Sequence, residues 1–258
     1  MVAFAFVTAI SLAAASAGSG IVSLNLCTDE LVLLLADPAR IRSVSYLSHA
    51  PEESALWRLA RRYRSNDGSM LAAAAVGPGL IVTMGDSGRD RARLAAAIGA
   101  RLLVLPYPAT LADVARNIQT IGQATGGEAR AARIVASMRA AEATASVRAR
   151  DAIWVAGGGR SIAADGLSAR WLRLTGLQQR RIAGDRLTLE TLLARPPSIL
   201  IESRYRAGQT SSATAWRRHP AARNVAAGRT IATDGRRWTC AGPTLLPEIL
   251  RLRRMLAR

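Results

Sequence analysis

A chain of 258 residues, half of them hydrophobic, is long enough to bury two α/β cores and too apolar to be disordered. Its formal net charge of +17 comes from 35 basic residues, every one of them arginine and scattered rather than striped. No helix-turn-helix, zinc-finger or aromatic RNA-binding signature accompanies them, which argues for solvated helix faces and against a nucleic-acid partner.

In chain order, residues 3–15 form an apolar run that ends in Ala15-Ser16-Ala17, the A-x-A pattern of an export signal cleaved after residue 17. No Lys or Arg precedes that run. No later stretch reaches the ~18 uninterrupted apolar residues of a spanning helix. Apolar strands are then expected at residues 21–24, 41–47, 80–84 and 102–107. Helical patterns follow them: one capped by Thr28 with Asp29 and Glu30 in its first turn, then residues 52–64, 89–98 and 110–125. Gly126-Gly127 stops the last of these. Residues 128–148 predict one helix about 30 Å long. Beyond it the pattern restarts, with strands at 153–156, 199–202 and 230–233. Helices are expected at 168–174, 187–194 and 213–218, and in a last segment carrying Leu245, Ile249, Leu252 and Leu256.

Alternating strands and helices predict parallel sheets. The expectation is an α/β protein of two Rossmann-like lobes joined by one long central α-helix. Residues 18–126 would form the N-terminal lobe, 127–150 the connector and 151–258 the C-terminal lobe. A weak internal echo supports two lobes: Leu71 to Val82 and Glu190 to Ile201 each read as a helix ending at a proline (Pro78, Pro197) followed by an apolar strand.

Two motifs stand at strand-to-helix turns, where ligands of parallel α/β sheets bind. One is Ser23-Leu24-Asn25-Leu26-Cys27-Thr28-Asp29-Glu30-Leu31; the other is Trp238-Thr239-Cys240-Ala241-Gly242-Pro243. With the long helix and the echoed units between them, they resemble the periplasmic substrate-binding proteins of ABC importers for cobalamin, haem and ferric siderophores. The resemblance covers the chain from about Ile21 to Leu256. It implies a ligand cleft between two lobes with little hinge motion. It also implies a docking glutamate on each lobe that pairs with arginines of the membrane permease. By position the C-lobe glutamate is Glu190; the N-lobe position holds Leu71, with Asp67 nearby as a possible substitute.

The two cysteines, Cys27 and Cys240, leave three readings open. An exported pair suggests a disulfide, which needs Cα atoms within about 7 Å. A thiolate would suit iron or cobalt. Both would equally serve as small buried residues at tight turns. Trp238 is expected to stack on the ligand, and Tyr46, Arg204, Tyr205 and Arg237 to sit at the cleft rim, with Arg236 similarly placed. The Gly157-Gly158-Gly159 run follows a strand without phosphate-loop spacing, so it reads as a place of close backbone approach. His219 reads as a helix end.

The resulting expectation is a soluble periplasmic solute-binding component of an ABC importer, not an enzyme. It would act as a monomer with no cofactor of its own, binding cobalamin, haem or a ferric siderophore and delivering it to the permease. The alternative is an exported α/β thiol hydrolase using Cys27 with His49.

Overall fold

Strands covered on both faces need unbroken apolar runs, and the chain supplies them twice over. A computed structural model describes residues 20–85, 88–205, 220 and 229–257. In the first half β1 (Ile21–Ser23), β2 (Ile41–Ser45), β3 (Arg64–Asn66), β4 (Leu80–Met84) and β5 (Arg101–Leu105) form a parallel sheet in the order β3-β2-β1-β4-β5. In the second half β6 (Arg150–Val155), β7 (Leu177–Gln179), β8 (Ile199–Arg204) and β9 (Arg229–Asp234) form another, in the order β7-β6-β8-β9 and again parallel. Ile21, Val22, Ile81 and Val82 in the first sheet, and Ile153, Val155 and Ile201 in the second, are completely buried. The expected architecture of two parallel-sheet lobes is the one observed.

The helices of the first lobe are α1 (Leu26–Leu35), α2 (Tyr46–His49), α3 (Trp57–Ala60), α4 (Met70–Ala74), α5 (Gly88–Ala97) and α6 (Leu111–Thr125). Then come α7 (Glu128–Ala143), α8 (Leu167–Arg173), α9 (Leu189–Ala194), α10 (Arg236–Thr239) and α11 (Leu245–Leu256). No helix among the described residues is long and apolar enough to cross a membrane. The expected leader, the helix over residues 213–218 and His219 all lie outside the described residues.

Several boundaries differ from expectation for identifiable reasons. Asn25, not Thr28, caps α1: its Oδ1 accepts from the Thr28 amide at 3.0 Å, so the helix begins three residues sooner. The amphipathic stretch 52–64 does not make one helix. Turns after Pro51 leave the single helical turn of α3, and its last residue already starts β3. β3 and β7 were not expected, since three-residue edge strands with polar sequences carry little periodic signal.

The connecting helix α7 is also shorter than expected, with 16 residues spanning about 24 Å. Gly126, in the left-handed region at φ 73°, ends α6. Gly127 then lets α7 start against the end of α1, where a Cβ would come within 2.2 Å of the Leu35 carbonyl oxygen. The N-terminal end of α7 is held to the first lobe by Arg130 Nε, which donates to Leu35 O at 2.8 Å. Its C-terminal end is held to the second lobe by Arg253, which donates to Ala141 O, Leu174 O and, at 2.9 Å, Thr144 Oγ1. Ala131, Val135, Met138 and Ala141 of α7 belong to one apolar core that continues into both lobes.

The lobes meet at the first turn of α1. Cys27 is bonded to Cys240, with Cα atoms 5.3 Å apart across 213 residues of sequence. One turn in, the buried Glu30 carboxylate crosses to the other lobe and accepts the Thr244 amide at 2.7 Å. Gly242 comes so close that a Cβ there would lie 3.2 Å from both Glu30 oxygens. Beside them Arg236 Nη1 donates to Pro51 O at 2.8 Å. Asp29, completely buried, faces its own lobe instead: Oδ2 accepts from the Ser45 amide at 3.0 Å and from the Ser45 and Ser48 hydroxyls, each at 2.5 Å. Of the three readings of the cysteines, the disulfide is therefore the correct one.

Burial pushes the Glu30 carboxyl up to about 7, although Thr244 and Arg237 favour its charged form. Burial likewise raises Asp29 to about 6 against the hydroxyls that hold it. Both groups bind a proton more tightly in the folded chain than in the unfolded one. Their contribution is thus complete below the ordinary carboxyl range and is lost as pH rises through 6 and 7. Glu30→Gln keeps an acceptor for Thr244 and cannot ionise. We expect it to match the parent near pH 5 and to exceed it by on the order of 2 kcal/mol at pH 8 in urea unfolding. Parallel pH profiles for the two proteins would contradict the placement of this carboxyl. Thiol titration of the unreduced, unfolded chain should find no free thiol, and Cys27→Ser with Cys240→Ser should cost about 2–4 kcal/mol of stability.

Candidate functional site

In each sheet the strand order reverses beside the first strand: between β1 and β4 in the first lobe, between β6 and β8 in the second. Such switch points open a crevice beyond the carboxyl ends of the strands. A cavity of about 480 Å³ lies there in the first lobe. Every strand of that sheet contributes to it: Leu24 to Cys27 after β1, Leu47 after β2, Gly68 after β3, Thr83 and Met84 from β4, and Tyr107 after β5. Arg91 of α5 adds the one cationic group of its lining, and Thr239 of α10 reaches in from the other lobe. The cavity therefore lies between the lobes, with Cys27 of the disulfide in its wall.

Its polar groups are few and held. Asn25 caps α1 through Oδ1 and donates from Nδ2 to Thr83 Oγ1 at 3.3 Å. Tyr107 is largely exposed on the first lip, at 73% of its surface. On the second lip Tyr205 follows β8, and its hydroxyl hydrogen-bonds the Thr239 hydroxyl at 3.2 Å. A lining with a thioether, one phenol, an amide, two hydroxyls and one guanidinium, and with the Tyr205 phenol beside it, can wrap an uncharged or weakly anionic surface of moderate size.

Of the residues expected to touch a ligand, Cys27 alone lines this cavity; Cys240 is bonded to it, and Tyr205 is hydrogen-bonded to the lining residue Thr239. The bond between the cysteines removes the thiolate that metal coordination requires, so that role is corrected. The same bond removes the nucleophile of a Cys27 and His49 hydrolase; His49 itself is half-buried, with burial and Arg61 holding its pKa below the ordinary value. Trp238 is also corrected. It is 4% exposed, packs on Trp154 with ring centroids 5.6 Å apart, and donates from Nε1 to Thr233 Oγ1 at 2.9 Å. It is core, not wall. Arg237 turns to the joint, donating to Thr244 O at 2.7 Å and pairing with Asp234 at 3.5 Å. Arg204 pairs with Glu202 at 2.8 Å, and Tyr46, 57% exposed, begins α2 at the carboxyl end of β2; neither is part of the cavity lining.

Gly157 to Gly159 form a tight turn after β6. A Cβ on Gly159 would stand 2.5 Å from Leu187 O, so the run admits a neighbouring segment, as its spacing suggested. Tyr107, Met84, Arg91 and Thr239 were not anticipated. For Tyr107, Met84 and Arg91 the available signal was position alone, at or just beyond the end of an expected strand or in the helix after it; Thr239 stands inside the second motif, Trp238 to Pro243.

The echoed units are a structural repeat. α4 and α9 each precede an inner strand, β4 and β8, and each is capped by a hydroxyl. Ser69 Oγ accepts from Ala72 N at 3.1 Å, and Thr188 Oγ1 from Thr191 N at 3.2 Å. Leu71 and Glu190 occupy the same second helical position, both exposed, Leu71 at 82%. Asp67 is exposed as well, and its carboxylate accepts from the Ser69 amide at 2.8 Å.

No family model and no curated protein matches this sequence. Solved structures do. The periplasmic heme binding protein HutB of Vibrio cholerae superposes with a TM-score of 0.71 at 16% identity, over 92% of this chain and 98% of that one. The periplasmic vitamin B12 binding protein BtuF of Vibrio cholerae gives 0.67 at 16% identity, over 93% and 97%. An ABC-type Fe3+-hydroxamate transport protein from Saccharomonospora viridis gives 0.64 at 20% identity, over 93% and 94%. Over nearly its whole length, the chain has the two-lobed α/β fold of these periplasmic binding proteins.

Proposed function

We propose that this chain is the periplasmic substrate-binding component of an ABC importer, holding an iron or cobalt chelate in the interlobe cleft and presenting it to the permease. The observation that carries the reading is the cavity of about 480 Å³ built from the carboxyl ends of all five strands of one sheet and closed by a residue of the other lobe. Its size suits a compact chelate or the exposed part of a larger one. The fold it shares with binding proteins for heme, vitamin B12 and Fe3+-hydroxamate supports the same reading. The interlobe disulfide suits an oxidising compartment, as does the export signal expected at the N-terminus.

Selectivity on this reading comes from cleft shape and a few polar contacts, with no bond made or broken. Glu190, exposed at the first turn of α9 and held below the usual carboxylate range by the helix backbone and Thr188, is the charge offered to the permease. The equivalent position of the first lobe offers Leu71, so any matching charge there comes from the exposed Asp67 just before α4.

Equilibrium dialysis against hemin, cyanocobalamin and ferrioxamine B should show one of them bound stoichiometrically at micromolar concentration or below and recovered intact. Failure of all three, or recovery of a cleaved product, would overturn the reading. Glu190→Arg should lower uptake through the cognate permease by about tenfold or more while leaving ligand affinity unchanged. Equal losses in affinity and uptake would place Glu190 elsewhere in the mechanism.

A further inference from the structure

Two glycines at the cleft lips stand in places that a side chain cannot share with a tyrosine. Gly85 follows β4, and its amide donates to Leu105 O of β5 at 2.9 Å. A Cβ on Gly85 would lie 2.5 Å from Tyr107 Cε2 and 2.7 Å from both Cζ and the phenol oxygen. Gly235 follows β9, and its amide donates to Arg204 O of β8 at 2.8 Å. A Cβ there would lie 2.6 Å from both Ser203 Oγ and Tyr205 Cδ2, and 2.7 Å from Tyr205 Cε2. In both lobes, then, the last two strands of the sheet end in a glycine and a tyrosine, with the tyrosine on the edge strand in the first lobe and the glycine on the edge strand in the second. A glycine on one extends the ladder to the other, and the neighbour's tyrosine lies across it.

The backbone explains only one of these glycines. Gly85 has φ +91°, a conformation that other residues rarely adopt. Gly235 has φ −58° and ψ −34°, which any residue adopts freely. What position 235 requires is space, and the occupant of that space is the Tyr205 ring with the Ser203 hydroxyl. Tyr107 lines the cavity, and Tyr205 stands beside it, hydrogen-bonded to Thr239, which lines it from the opposite lobe.

We propose that Gly85 and Gly235 are specificity-determining residues of the cleft: as seats for Tyr107 and Tyr205, they place one phenol ring on each lip to hold a ligand with a flat conjugated face. The inference rests on the binding reading above and narrows its ligand. A ring lying across a glycine has its approach angle set by the backbone rather than by its own rotamers, so little conformational freedom is lost when a flat surface meets it. Two such rings from opposite lobes favour a tetrapyrrole over a globular trihydroxamate complex.

The test is a double-mutant cycle on the intact oxidised protein, with hemin, cyanocobalamin and ferrioxamine B as probes. Tyr205→Ala, Gly235→Ala and the pair together form one cycle; Tyr107→Ala, Gly85→Ala and their pair form the other. The parent should prefer a tetrapyrrole probe, and each single substitution should weaken its binding by about tenfold or more. Each double variant should bind no more weakly than its Tyr→Ala parent, because the seat acts only through the ring. Thermal melting identifies any glycine variant that fails to fold. In that event the tyrosine variants, which add no atoms, decide: unchanged affinity in both overturns the proposal. Unchanged affinity in a folded Gly235→Ala, or fully additive losses in the cycles, overturns it while the binding reading stands. Preference for ferrioxamine B overturns the ligand class, and binding of none of the three removes the reading beneath it.

Discussion

The first turn of α1 is the constraint on which the rest of the molecule depends. Within four residues it carries Cys27, bonded to Cys240 of the other lobe, Asp29, which ties down the segment after β2, and Glu30, which accepts the Thr244 amide across the interface. A covalent bond alone would fix one distance and leave rotation about it. The buried carboxylate adds a second fixed point less than one helical turn away, and Arg236 on Pro51 adds a third. Burying Glu30 is costly, which its raised pKa records. What the joint gains is a unique seating for the Thr244 amide at the start of α11, a donor that an uncapped helix would otherwise leave unmatched.

From that joint the cleft follows. Because α7 is fastened at one end to α1 and at the other to α8 and α11, the connector transmits orientation instead of acting as a hinge. The continuous core through α7 reinforces this, since moving one lobe against the other would open apolar contacts along its length. On the proposed reading, a cleft of set width would select ligands by shape, with no binding energy drawn down by closing two domains. The carboxyl ends of the first sheet then supply most of the lining and Thr239 reaches in from the second lobe, so the topology and the joint together put Tyr107 in the cavity wall and Tyr205 beside Thr239.

Much of this was legible in the residues. Continuous apolar runs located β4 to the residue and most other long strands to within one or two, because parallel strands buried on both faces leave an unbroken apolar signature. β3 and β7 were invisible for the converse reason: they are short, polar and at sheet edges. The site was less legible. Whether Cys27 and Cys240 are bonded depends on how two lobes meet, which no local pattern encodes. Trp238 reads as a ligand wall from its place in the second motif, and only its burial against Trp154 shows that it belongs to the core. Tyr107 carries no motif, and Gly235, though part of the segment Asp234 to Pro243 around the second motif, carries no sign of a steric role; their pairing with Gly85 and Tyr205 comes from adjacent strands ending at the same height.

The account stands or falls on the rigidity of the joint, and the Thr244 amide reports on it directly. This donor is bonded to Glu30 Oε1 across the lobe interface, so any separation of the lobes exposes it to solvent. Native-state hydrogen exchange followed in increasing denaturant should find the Thr244 amide in the slowest class, exchanging only through global unfolding with the same denaturant dependence as the core of β1 and β4. Exchange through a smaller opening, with a lower free energy and a shallow denaturant dependence, would show that the lobes part in the native state and would contradict the account.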